Sequence, residues 1–228
     1  MLSVDSSNIK FSDFENIKLD NLSLKWEIYK IIYFDMIFED KNIELVDFFK
    51  YVKNNNWENV YDDYYQIFLK YVKAWHYAIE NIIGFNAIIN KKIYFDIYNI
   101  FYGMQKTKFR DFDGVVAGTN IFLEKHYNLD DNFLHLEHMI NKVYKKNPFE
   151  SAAYSFIDLI KNQYLLDEKD RLARFFLNVI LLYHNKAYFL FDSDNFYRIR
   201  LVKKDCLERK EVEQMIHLLQ KNQSNPHF

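Results

Sequence analysis

The sequence predicts a mainly α-helical fold, a helical bundle with two short β-hairpins, and three observations carry that expectation. Gly and Pro, the residues that punctuate turns, number four and two in 228 residues, which suits long helices with short connections rather than a many-stranded sheet. Apolar residues recur at three- and four-residue spacing through most of the chain, the period of one helix face. Two segments break that period, and both read as hairpins.

Residues 21–53 read as one or two amphipathic helices. Leu24, Ile28, Ile31, Ile32 and Asp35 fall at helical spacing, and Asn54-Asn55-Asn56 marks a break. A longer helix is expected from Trp57 to about Ile83, burying Tyr61, Tyr64, Tyr65, Phe68, Tyr71, Val72, Trp75 and Ala78. The next covers Asn90 to Tyr102, with Gly103 as its C-cap. The segment Lys108-Phe-Arg-Asp-Phe-Asp-Gly-Val-Val-Ala-Gly118 holds two glycines and a Val-Val pair, the signature of a short hairpin or extended flap. Helices follow at about 130–146 and 149–163, Pro148 suiting the first turn of the second and Glu150 its positive end. After an apolar helix from Phe175 to Tyr183, Ala187–Phe191 and Phe196–Val202 flank a polar Asp-Ser-Asp-Asn turn and read as a second hairpin. A final helix is expected at about 206–221. The parts group as an N-terminal helical arm (1–84) packed on a core (85–228) in one unit.

Composition narrows the function classes. With half the residues hydrophobic and a formal charge of −2, the chain has ordinary globular chemistry without the basic excess of a broad nucleic-acid surface. Aromatics reach 19%, and rings pack a core as readily as they stack on ligands, so they are assigned to the core. The single Cys206 excludes an intramolecular disulfide and a cysteine zinc cluster. The start of the chain shows no basic region before an apolar run, and the longest apolar run, near Phe175 to Tyr183, falls far short of the roughly 20 residues of a membrane span. The expectation is a soluble cytoplasmic protein with neither nucleic acid nor membrane as partner.

The segment between the helices, Gln163 to Arg174, is where chemistry is expected. A helix N-terminus binds phosphate through its unpaired N–H groups and positive dipole end, and preceding glycines let the backbone approach. Here that place is Glu168-Lys169-Asp170. All three carry side chains and two are acidic, so a carboxylate occupies the anion site, and Asp167 or Asp170 is expected to cap the helix. Arg171 and Arg174 share one helix face, and the spacing allows two readings. They form a fork for phosphate oxygens, or they pair with Asp167, Glu168 or Asp170. A general base is missing, because the amide of Gln163 accepts no proton near neutral pH. His184 lies at the far end of the next helix, about 13 residues beyond Arg171, roughly 20 Å along it. His135 and His138 sit on an earlier helix, and Asp158 and Lys161 on the helix leading to Gln163 are weaker surrogates.

This arrangement resembles the signature of the Fic family, H-P-F-x-D/E-G-N-G/K-R-x-x-R, set between two helices. Asp167, Arg171 and Arg174 fall where that family has its acid and two arginines. Gln163 falls at its histidine, and Glu168-Lys169-Asp170 replaces Gly-Asn-Gly. Ser151 to Ile160 looks like the helix that precedes the signature, Phe175 to Leu182 like the one that follows, and 108–118 like the flap that pairs with a target peptide as an added strand. The resemblance covers roughly residues 85–190. It implies a Fic-like helical bundle and, for the family, transfer of AMP from ATP to a hydroxyl side chain. By resemblance Asp167 is the candidate Mg²⁺ ligand, and Arg171, Arg174 and Lys169 are the phosphate or nucleotide candidates. Lys108, Phe109, Arg110, Asp111, Phe112, Gly114, Val115 and Val116 form the flap that takes a protein partner. Ser6 to Lys10 looks like the family's inhibitory Ser-x-x-x-Glu motif with Lys10 in the glutamate place, where it cannot pair with Arg174.

Without the histidine and the glycine cradle, the resemblance implies a protein inactive in AMP transfer that acts as a protein-binding or regulatory module. ATP and Mg²⁺ belong to it only if the remnant site functions. Two alternatives stand beside this: a divergent nucleotidyl- or phosphotransferase with a non-histidine base, and a helical scaffold with no ligand.

Overall fold

The computed structural model describes residues 22–38, 44–54, 62–83, 88–103, 109–110, 113–115, 122–123, 129–165, 170–209 and 212–224. Ser6, Lys10, Lys108, Asp111, Phe112, Val116, Asp167, Glu168 and Lys169 lie outside them. The described residues form a mainly helical structure with one two-stranded ribbon.

Helices α1 (Leu22–Phe38) and α2 (Leu45–Asn54) realise the first expectation as two elements. They bury Ile28, Tyr29, Ile31, Ile32 and Met36 from the first, and Phe48 and Val52 from the second. Helix α3 (Asp62–Ala78) buries Phe68, Tyr71, Val72, Trp75 and Ala78, then widens into a π turn at Ile79–Ile83. Helix α4 (Lys91–Tyr102) has both its ends closed locally. The Asn90 side chain accepts from Ile93 N–H at 2.9 Å, and Gly103, at φ 70°, donates its N–H to Asn99 at 2.7 Å. That left-handed angle is one glycine adopts without a steric penalty.

Strands β1 (Gly114–Val115) and β2 (Phe122–Leu123) pair antiparallel, Gly114 opposite Leu123 and Val115 opposite Phe122. The β pairing therefore reaches beyond residue 118, where the sequence placed the flap's end. Helix α5 (Leu129–His138) ends in a second π turn, Met139–Val143. Asn141 in that turn accepts from Ile88 N–H and donates to the Ile89 carbonyl, tying it to the entry of α4.

Helix α6 (Pro148–Asn162) has Pro148 in its first turn, as the sequence predicts, and Asn147 caps it by accepting from Glu150 N–H. It packs along α7 (Arg171–Tyr183), which buries every residue from Leu172 to Leu181. A helix buried on every side lies at the centre of a bundle, and its two buried polar side chains, Arg174 and Asn178, are hydrogen-bonded. One hydrophobic cluster runs from Ile28 to Leu219, so the predicted arm and core share a single interior.

The predicted C-terminal hairpin is not formed. Phe196–Val202 lies inside helix α8 (Ser193–Arg209). The Asp-Ser-Asp-Asn set, read as a turn, starts this helix: Asp192 accepts from Asn195 N–H through its side chain and from Phe196 N–H through its carbonyl, both at 2.8 Å. Turn residues and helix N-caps use the same short polar side chains, and the burial of Asn195, Ile199, Cys206 and Leu207 decides for the helical period. Ala187–Phe191 has no strand partner among the described residues. Its Phe189 backbone instead bonds both side-chain atoms of Asn178, at 2.7 and 3.0 Å. The final helix is correspondingly shifted: Cys206 closes α8, and α9 is Glu213–Ser224.

Candidate functional site

The site predicted by sequence sits where α6 hands over to α7. At the end of α6 the chain turns through Gln163, at φ 41° and ψ 62°, a left-handed conformation in which Gln163 N–H bonds the Leu159 carbonyl at 3.0 Å. Its neighbouring carbonyls are held by Arg110. The Arg110 Nε donates to Asn162 O at 3.2 Å and to Gln163 O at 2.9 Å, while its backbone N–H donates to Tyr164 O at 2.8 Å. A guanidinium at a helix C-terminus meets the negative end of the dipole and the last open carbonyls together. Arg110, a few positions before β1 in sequence, is thereby buried. Phe109 beside it packs on Phe95, Phe133 and Tyr164. Beyond this anchor the ribbon is open: Val115 is 56% and Phe122 60% exposed, directly opposite one another.

Asp158, one of the surrogate bases, faces the same turn. Its carboxylate accepts from Tyr164 Oη at 2.7 Å, and Tyr164 Oη accepts from Asn162 Nδ2 at 3.0 Å. Burial raises the Asp158 pKa, with the Tyr164 and Asn162 hydrogen bonds and the charges of Lys161 and His135 pulling it back only in part. Lys161, His135 and His138 are exposed. His184 caps the far end of α7, its pKa lowered by burial and by Lys186.

At the start of α7 the acid expected to cap does not do so. Asp170 occupies the N-cap position with φ 42°, and its carbonyl accepts from Arg174 N–H at 2.9 Å, but its side chain makes no cap hydrogen bond. The carboxylate pairs instead with Lys203 of α8. Asp167, the other candidate cap, lies outside the described residues.

The two arginines address different neighbours. The Arg171 guanidinium carbon lies 5.3, 5.5 and 5.9 Å from the rings of Tyr102, Phe101 and Tyr71. Arg174 is 1% exposed, and its Nε donates to Asp35 Oδ1 of α1 at 2.8 Å, with its guanidinium carbon 4.3 Å from the Phe38 ring centroid. The ion-pair reading thus holds for Arg174, but with a carboxylate 139 positions away rather than one in the adjoining loop. Asp35 and Lys203 are the residues that spacing around the loop does not point to. A signal for Asp35 existed: it is a charged residue on an otherwise apolar helix stripe, and a buried charge needs a buried partner.

The described part of this site does not fit a triphosphate with its metal. Arg174 is paired with the Asp35 carboxylate, Asp170 with Lys203, and Gln163 supplies no base. Among the described residues no group of three His, Cys, Asp or Glu could hold a metal ion, and no helix is long and apolar enough to cross a membrane. In comparison with known proteins, no family model matches the chain and no curated protein is significantly similar to it.

Proposed function

We propose that the chain is a Fic-fold protein that does not transfer AMP and works as a protein-binding or regulatory module. The observation that carries this reading is the buried Asp35–Arg174 pair. In the resembled family the second arginine neutralises phosphates, and here a nucleotide would have to displace a carboxylate from a dry site. Removing one partner of a buried pair costs about 3–5 kcal/mol, because the other charge is left uncompensated. Asp35 stands in the relation to Arg174 that the resemblance gives to the family's inhibitory glutamate, in a chain where Gln163 leaves no base to restrain.

The protein-binding part of the reading draws on the ribbon. Its base is fixed by Arg110 and Phe109, while Val115 and Phe122 stand out from it into solvent. A fixed base and a ribbon with no third strand among the described residues suit a peptide that adds as a further strand, taking affinity from main-chain hydrogen bonds and specificity from side chains such as these two.

Incubation of the purified chain with labelled ATP, Mg²⁺ and cell lysate tests the first half. No protein should acquire covalent label beyond that in lysate without the chain, and ATP with Mg²⁺ should leave the melting temperature unchanged, since only a ligand of the native state raises it. Covalent labelling that disappears on Asp167→Ala would overturn the reading in favour of a transferase.

A further inference from the structure

Helix α8 presents an outward face that the fold does not use. Tyr197 and Leu201 are 66% and 51% exposed, on a helix whose Ile199, Cys206 and Leu207 are buried and whose Phe196 packs on Phe38 of α1. At about 100° per residue, Tyr197 and Leu201 form one stripe, with Arg198 about 100° to one side of Tyr197 and Arg200 about 60° to the other. Both arginines are exposed and neither has a carboxylate partner among the described residues. The other cations of the helix are engaged, Lys203 with Asp170, Lys204 with Glu208 and Arg209 with Asp205. Beside Leu201, toward α9, lies a shallow hollow of about 320 Å³ lined also by Lys204, Asp205, Glu208 and Gln214.

We infer that the first half of α8 docks an acidic, partly apolar peptide segment of a partner protein. Two unengaged guanidiniums on either side of an apolar stripe match two carboxylates on either side of an apolar side chain, each guanidinium offering a planar fork to one carboxylate. Tyr197 and Leu201 give the apolar side chain its contact, and the hollow beyond Leu201, lined by Asp205 and Glu208, marks where the acidic segment ends. An anionic membrane fits less well, because segments that recognise it carry roughly four to eight basic residues, and here Asp205 and Glu208 close the stripe. A nucleic acid fits less well too, since two phosphate contacts give a salt slope of only about −1.8 on a chain whose net charge is −2. The surface is separate from the ribbon, and its assignment does not rest on the Fic reading.

Fluorescence anisotropy of a labelled short alternating Glu–Leu peptide, titrated with the full chain, tests this inference. Binding should saturate, should weaken at least about tenfold when Gln replaces Glu in the peptide, and should weaken similarly in Arg198→Ala/Arg200→Ala. Tyr197→Ser/Leu201→Ser should also weaken it while leaving its salt dependence intact. All four positions are exposed, so an unchanged melting temperature certifies the fold of each variant. The inference is overturned if the peptide does not bind saturably, if the arginine variant binds it as well as the parent, or if phosphatidylserine vesicles or single-stranded DNA bind more tightly than the peptide.

Discussion

The two helix ends that face each other across the loop, the finish of α6 and the start of α7, are closed by opposite strategies. At the finish of α6 one cation, Arg110, meets two backbone carbonyls, so the charge complements the helix dipole and satisfies groups the helix must leave open. At the start of α7 the acid in the cap position turns away to Lys203, and one turn further on Arg174 is sealed against Asp35. The first end is stabilised by hydrogen bonding at a helix terminus. The second is held by charge pairs that tie α7 to α8 and to α1, helices remote in sequence. The contrast lies in reach: the charge at the first end serves its own helix terminus, and the charges at the second join α7 to α1 and α8.

The sharpest break in this comparison is at the second end. Asp35→Ala should destabilise the protein by about 3–5 kcal/mol in urea denaturation, because Arg174 keeps its charge in a buried site after its carboxylate is removed. Replacing the pair with apolar residues, Asp35→Leu/Arg174→Met, should recover most of that loss, since two desolvated charges are removed together. A double variant as unstable as Asp35→Ala would show that the pair does more than neutralise itself.

At the first end the loss should be smaller. Arg110→Ala removes hydrogen bonds from a charged donor to two carbonyls, worth about 1.5–3 kcal/mol where the acceptors stay buried. The effect should be local as well, with amide exchange accelerating around residues 109–115 before it does in α7. Uniform acceleration across both helices would place Arg110 in the global core rather than at a terminus.

The difference between the ends also marks how much the sequence reveals. The helical class, the C-cap at Gly103, the place of Pro148 and the position of α6 are legible, because each depends on residues a few places apart. The hairpin expected after Ala187 fails for the same local reason: Asp192 and Asn195 suit a turn and a helix start alike, and only the burial of Ile199, Cys206 and Leu207 separates them. In the site, Gln163 and Asp170 are found where the loop puts them. The partners Asp35 and Lys203 come from other helices, and no spacing within the loop encodes them.

Gln163 offers a milder change. It holds φ 41° with a Cβ, in the one backbone region that glycine enters freely. Gln163→Gly should therefore stabilise the protein by about 1 kcal/mol, the strain relieved exceeding the entropy that glycine adds to the unfolded chain. A destabilised variant would mean that the Gln163 side chain, not only its backbone, holds the turn.

The smallest effect concerns pH at the first end, where Asp158 sits beneath the same turn. Burial raises its pKa, so the folded protein holds this proton more tightly than the unfolded chain does. Its contribution to stability is therefore complete below the ordinary aspartate value of 3.8, is lost as pH climbs through the raised value, and is constant above it. Asp158→Asn keeps a carbonyl oxygen to accept from Tyr164 but has no proton to lose. Plotted against pH, the stability of the variant relative to the parent should rise through that window and then level off. A difference that stays flat would show that the Asp158 carboxylate is solvated in the folded state as well as in the unfolded one, and that the Tyr164 hydroxyl holds the turn without help from a retained proton.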